Sequence, residues 1–207
     1  MHSVATEFLA KGGLDEARAR CWFPRSEAEV LDLYRLSAAA GRGLTLVGAQ
    51  KSFGGHFLCH EGADACDVTG LARATRLPER EEDGQAIWVK VAAGVTFRQM
   101  LREFPGYRPE NPPTSDGISV GGALASCTHN MAGFFADSVR AFTLLAPNGQ
   151  SYRCSPQGDA LERALFESVP GTFGALGVIT DIELRLRAIP AEQSVRVEVL
   201  SRGRVSD

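Results

Sequence analysis

The nine residues Gly48 to His56, GAQKSFGGH, put three glycines, a lysine, a serine and a histidine directly behind the apolar run Leu44 to Val47. Glycine lets a backbone approach a ligand closely and turn its N–H groups toward it. A lysine in such a loop can meet an anion, and an imidazole can carry a proton or form a bond. Two more stretches share this composition: SDGISVGGALASCTHN from Ser115 to Asn130, and VPGTFGALGVIT from Val169 to Thr180. Clustered N–H groups, above all at the start of a helix, hold phosphate oxygens without a dedicated cation. One glycine-rich loop alone is most often only a turn. Three in one chain point to a long phosphate-bearing ligand such as a dinucleotide. None matches G-x-G-x-x-G between a strand and a helix, or G-x-x-x-x-G-K-[ST], which excludes the Rossmann and P-loop readings.

The other reactive side chains do not form a site. Cys21, Cys59, Cys66, Cys127 and Cys154 make no C-x-x-C pair and are odd in number. Packed thiols in a reducing, cytoplasmic compartment are expected. The four histidines lack metal-ligand spacing, so no metal centre is expected. Net charge is −3 with scattered positives, which argues against a nucleic-acid partner, and no apolar run reaches spanning length, so no membrane span is expected. The first twenty residues do not read as a secretory signal.

Alternating strands and helices must position these loops. RSEAEVLDLYRLSAAAGRG reads as a helix, with Ser26 and Glu29 as a capping box and Gly41 closing its end. LTLV, CDVTGL and AIWVKVAAG read as strands, and TFRQMLREF as a helix with a Thr96–Gln99 capping box. The prolines of YRPENPPTSDG argue against regular pairing. Gly121 and Gly122 open a helix-prone ALAS turn, an expected anion site. RAFTLLA and QSYRC flank a PNG hairpin turn, and DALERALFESV reads as a short helix. VITDIELRLRAIP alternates Val178, Ile182, Leu184 and Leu186 with Asp181, Glu183, Arg185 and Arg187, a strand with one wet face. The composite is α+β.

Taken in order, FPRSEAEVLDLYRLSAAAGRGLTLVGAQKSFGG, CDVTGL, VKVAAGVTFRQML, ISVGGALASCTHN…DSVRAFTLLAPNG and GTFGALGVITDIELRLRAIP resemble the FAD-binding, PCMH-type domain of the vanillyl-alcohol oxidase family. The K-S-F and I-S-V-G-G-A stretches look most like the branch that oxidises polyols, sugar lactones and lipid-linked sugars. The resemblance implies an α+β fold of two subdomains with mixed sheets, about residues 21–75 and 85–190, holding extended FAD. Residues 1–20 are then an N-terminal extension, and 191–207 the start of a truncated second, cap domain.

The resemblance further implies that Gly48, Ala49, Gln50, Lys51, Ser52 and Phe53 wrap the pyrophosphate. Ser119, Gly121, Gly122, Ser126, Thr128 and His129 would line the path to the isoalloxazine. Gly177, Val178 and Ile179 would offer backbone groups at the adenine end. Many members carry a flavin-linked His before the Ser-aromatic pair; Lys51 stands there, so dissociable FAD is expected. Lys51 is then either a partner of the pyrophosphate or a solvated charge, and His56 an exposed imidazole. The doubly linked members also carry a Cys near the position of Ser115, and none is available here. Cys127 is expected to be a packed thiol. Asn130 replaces the branch's Gly after T-H, where a left-handed turn is expected to survive.

The implied function is an FAD-dependent oxidoreductase taking hydride from an alcohol: a polyol, sugar or sugar derivative, alternatively a 2-hydroxy acid. It would need a cap domain or partner chain to supply the substrate side and the catalytic base. A non-catalytic flavin-binding module is the other class of reading.

Overall fold

The computed structural model describes residues 2–9, 16–52, 55, 57–71, 74–80 and 84–190. Strand β1 (Ser3–Leu9) pairs antiparallel with β2 (Glu16–Trp22). Helix α1 (Glu27–Ala39) follows, then β3 (Leu44–Val47) and β4 (Asp64–Asp67), in the order β1-β2-β4-β3. β2 and β3 both run parallel to β4, so this first sheet is mixed. The β2 hairpin strand straddles the boundary expected at residue 21.

Each end of α1 has a local cause. Ser26 caps it by accepting the Glu29 N–H, and the Glu29 carboxylate accepts the Arg25 amide instead of completing the box. At the other end Gly41 takes φ of 61°, while Gly41 N–H and Arg42 N–H donate to the Ala38 and Ser37 carbonyls. That is the Schellman arrangement. CDVTGL is not one strand: Asp67 turns its carboxylate onto the Thr69 N–H, and residues Val68–Leu71 wind into a 3-10 turn. An Asx side chain competes here with the sheet ladder and ends it.

The second sheet has the order β5-β6-β10-β8-β9 and is antiparallel throughout. Its strands are β5 (Ala74–Arg80), β6 (Ala86–Ala92), β8 (Val139–Leu145), β9 (Ser151–Cys154) and β10 (Val178–Ala188), with β7 (Tyr107–Pro109) on the end of β10. The proline-rich stretch therefore does pair, over three residues; Pro109 is the last of them, where a missing N–H costs least. Helices α2 (Phe97–Glu103), α3 (Val120–Ala125) and α4 (Ala160–Ser168) belong to this half, α2 and α4 with full capping boxes at Thr96–Gln99 and Asp159–Glu162.

β10 is the centre of this sheet, and its polar face is only partly wet: Arg187 is exposed, Asp181 and Arg185 are half-buried, and Glu183 is covered. Glu183 is buried, held by Arg140 and Arg153 at 2.8 Å each, and Asp181 pairs with Lys90 at 2.9 Å. Burial would raise the Glu183 pKa, but the two guanidinium groups hold it below the usual carboxylate range. A central strand meets neighbours on both edges, and their long charged side chains cover its outer face.

The two sheets meet through a small core of Val30, Leu145 and Val178, with Leu46, Tyr34 and Val68 packed on it. At the same seam a Cβ on Gly94 would sit 2.6 Å from the Val68 carbonyl oxygen, so the turn after β6 presses directly on the turn after β4. Among the described residues no helix is long and apolar enough to cross a membrane.

Candidate functional site

All three glycine-rich loops open onto one cleft of about 300 Å³ between the two sheets. Gly48, Ala49, Gln50, Lys51 and Ser52 line it from the end of β3; Ser119, Gly121, Gly122, Ser126 and Thr128 line it from α3 and the turn beyond. Gly177, Val178 and Ile179 line it from the start of β10. Residues 48 and 179 are thus brought together by folding alone. Phe53 and His56 lie outside the described residues.

The loop walls are shaped by the absence of side chains. A Cβ on Gly48 would come 2.8 Å from Ser119 Oγ, and one on Gly121 would come 2.5 Å from the Ala93 Cβ. Gly177 has φ of 146°, and its Cβ would strike the Leu145 carbonyl at 2.5 Å. Among the described residues three non-glycine residues have positive φ, Gln50 (54°), Cys127 (50°) and Phe173 (53°), one in each loop. Left-handed non-glycine residues carry strain and concentrate at functional sites.

The hydrogen bonds show which loop amides already have partners within the protein. The Val120 and Gly121 amides already donate to the Val95 and Ala93 carbonyls at 2.8 Å, and the Gly122 amide donates to Ser119 Oγ. The first turn of α3 is therefore spent on the fold, and its glycines serve close packing and hydrogen bonds within the protein. The amides of Ala49, Gln50, Lys51 and Ser52, by contrast, donate to no other described residue. A left-handed Gln50 inside that turn is the kind of geometry that gathers successive N–H groups into an anion-binding concavity.

Further along, Ser126 Oγ donates to the Gly122 carbonyl at 2.8 Å and lies 3.0 Å from Thr128 Oγ1. Each hydroxyl has one proton, so Thr128 donates to Ser126 and keeps acceptor lone pairs for the cleft. Ser119 is the complement: its oxygen accepts Gly122 N–H, leaving its proton to give. Lys51 runs along Gly117, whose Cβ would lie 3.4 Å from the lysine Cε.

His129 does not line the cleft. It is exposed, with its ring 5.9 Å from that of Phe134 in an edge contact, and its backbone pairs with Phe134 in an isolated β-bridge. The turn at Asn130 also differs from expectation. Asn130 lacks a positive φ; its Oδ1 accepts the Ala132 and Gly133 amides at 2.7 and 3.2 Å, and its Nδ2 donates to the Pro112 carbonyl. Four of the five cysteines are buried and all are free. Burial pushes the Cys66 thiol up to about 12 and those of Cys21 and Cys154 up to about 11, so these stay protonated and unreactive. Cys127 is only half-buried, beside Gly171.

Sequence reasoning missed Phe173, Thr114 and the apolar floor at Leu46, Phe57 and Val169, all of which line the cleft. Val169 and Phe173 lie in the third glycine-rich loop but carry no reactive group, and no motif marks the others. Their position depends on which strands become neighbours.

The family model described as an FAD binding domain matches residues 19–155. The chain belongs to this family. FAD is its cofactor, and the cleft suits it: small-residue walls, an unspent run of loop amides, and Lys51 as the one ionisable lining side chain among the described residues. In this FAD-binding domain the two-sheet α+β architecture is that of the PCMH-type fold. A solved structure of alkyldihydroxyacetonephosphate synthase shares it, with a TM-score of 0.67 at 17% identity over 87% of this chain and 34% of that one. Similar proteins include the mitochondrial D-lactate dehydrogenase [cytochrome] of Arabidopsis thaliana, 29% identical over 84% of this chain and 31% of the relative. Another is the D-arabinono-1,4-lactone oxidase of Eremothecium gossypii, 28% identical over 91% of this chain and 35% of the relative. The chain spans about a third of the length of these curated relatives.

Proposed function

We propose that this chain is the cofactor-holding part of an FAD-dependent oxidoreductase that oxidises an alcohol carbon, with polyols, sugars or sugar-derived lactones as the substrate class. The observation that carries this reading is the meeting of three small-residue loops around one cleft in a chain of the FAD-binding family. Bound FAD supplies the hydride acceptor. The amides of residues 49–52 and the Lys51 ammonium receive the pyrophosphate, Ser119 adds its hydroxyl proton, and Thr128 accepts from an N–H or O–H of the cofactor. Gly177, Val178 and Ile179 take the adenine end. Among the described residues no carboxylate, imidazole or phenol lines the cleft; in this reading the base comes from further polypeptide or a partner chain. Residues 21–190 form the cofactor unit, residues 191–207 begin the substrate side, and the free, mostly buried cysteines support a reducing, cytoplasmic compartment.

Lys51 cannot form the imidazole linkage, so the flavin is dissociable. Purified chain mixed with FAD and gel-filtered keeps the visible flavin band, and acid precipitation leaves that colour in the supernatant. Loss of all flavin from folded protein refutes the cofactor role, and a yellow pellet refutes dissociability. A 2-hydroxy-acid substrate is the second reading, supported by the D-lactate dehydrogenase relative. Anaerobic addition of a polyol, a sugar lactone or D-lactate separates the two by which one bleaches the flavin. Firm flavin retention with no bleaching by any of them favours the non-catalytic module.

A further inference from the structure

Phe173 sits in the third glycine-rich loop with φ of 53°, half-exposed, and lines the cleft. A bulky residue in left-handed backbone is an outlier, since glycine takes that conformation without strain. Its neighbours show the contrast: Gly171, Gly174 and Gly177 take φ of 88°, 85° and 146°. Phe173 is the positive-φ position of this loop that is not glycine, and the loop keeps an aromatic ring there.

The backbone carrying the ring is pinned on both sides. Gly171 N–H and Phe173 N–H both donate to the Ala125 carbonyl at the end of α3, at 3.0 and 2.9 Å. The Thr172 hydroxyl donates to the Val169 carbonyl at 2.8 Å, and the Ala175 and Gly177 amides close turns within the loop. Gly174 lies so tightly on Leu46 that a Cβ would come 2.8 Å from its side chain. A half-exposed ring on a rigid backbone at the wall of a cleft is preorganised to receive a flat partner, because little is left to order on binding.

We infer that Phe173 is a binding residue that stacks on a planar ring of FAD and sets how tightly the dinucleotide is held; this rests on the FAD reading above. FAD carries two such rings, adenine and isoalloxazine, and stacking on either gives the same chemistry. ADP holds only the first and FMN only the second, so they separate the two sources. Stacking of a base on an aromatic side chain makes the truncated variant bind about tenfold more weakly.

The test measures the affinity of the full chain for FAD, ADP and FMN, with the melting temperature of the unliganded protein beside it. Phe173→Leu keeps apolar bulk but lacks the π face, Phe173→Gly removes ring and strain together, and Phe173→Tyr keeps the stack. The expected result is about tenfold weaker FAD binding for the Leu and Gly variants and near wild-type binding for Tyr. The Gly variant melts no lower than wild type. Weakening that extends to ADP but not FMN assigns the adenine ring, and the converse assigns the isoalloxazine. Wild type that binds FAD while the Leu and Gly variants match it within twofold overturns this inference alone. A folded wild-type chain that binds none of the three overturns the cofactor reading itself.

Discussion

Replacing Asp64 by Asn removes a carboxylate that ties the first sheet to its helix. Asp64 is buried in β4 and accepts from Arg20 Nε of β2 and Arg42 Nε at 2.8 Å each, and from the Ser37 hydroxyl of α1 at 3.2 Å. Burial alone would raise its pKa, but the hydrogen bonds from Arg20 and Arg42 outweigh that and hold it at about 2, against 3.8 ordinarily. At 1.36 kcal/mol per pKa unit this difference is about 2 kcal/mol of stability at neutral pH. The partial exposure of both guanidinium groups keeps the expected cost of Asp64→Asn at that level, below the 3 to 5 kcal/mol of a fully enclosed broken pair. The folded pKa lies below the unfolded one, so the contribution is complete above about pH 4 and lost as pH falls through about 2. Roughly half is gone at pH 3. Urea unfolding of both proteins at pH 7, 5 and 3 should show a gap of about 2 kcal/mol that halves at the lowest pH. A gap below about 0.5 kcal/mol at pH 7, or one that does not change with pH, refutes this account. β3 pairs with β4, so the same substitution should also loosen the loop that β3 leads into.

Three other substitutions test the cleft and its rim. Gly121→Ala places a Cβ 2.5 Å from that of Ala93 and about 3 Å from its backbone, which cannot yield; stability should fall by about 1 to 3 kcal/mol, read by thermal melting, with flavin retention reduced. Lys51→Met should weaken FAD binding about tenfold and flatten its dependence on salt, measured by titration at two ionic strengths; unchanged affinity and salt slope return Lys51 to a solvated charge. Asn130→Ala removes the acceptor of the Ala132 and Gly133 amides and should cost about 1 kcal/mol in urea unfolding without changing FAD affinity, because the Asn130 side chain does not line the cleft.

Much of the fold is legible locally. Capping residues at Ser26, Thr96 and Asp159, the left-handed Gly41 and the PNG turn each act within a few residues, so their sequence signals match the elements that form. Some misreadings are local, as where Asp67 takes the Thr69 amide and ends a strand; two others involve a neighbour distant in sequence. β10 alternates like a half-wet strand, yet Glu183 is buried because β8 and β9 bring Arg140 and Arg153 across it. The glycines of α3 look like an anion site, yet the Val95 and Ala93 carbonyls have taken their amides.

The sequence by itself determined which loops can approach a phosphate-bearing ligand, since glycine content and the Lys51 substitution are properties of residue types. It also determined the family, through motifs whose order survives without any contact being known. Only the tertiary structure decided which amides are already spent among the described residues, that Thr128 lines the cleft while His129 does not, and that Phe173, Lys51 and Ser119 line the same cleft. A hydrogen bond has one proton to give, and its destination depends on which carbonyl folding places within 3 Å.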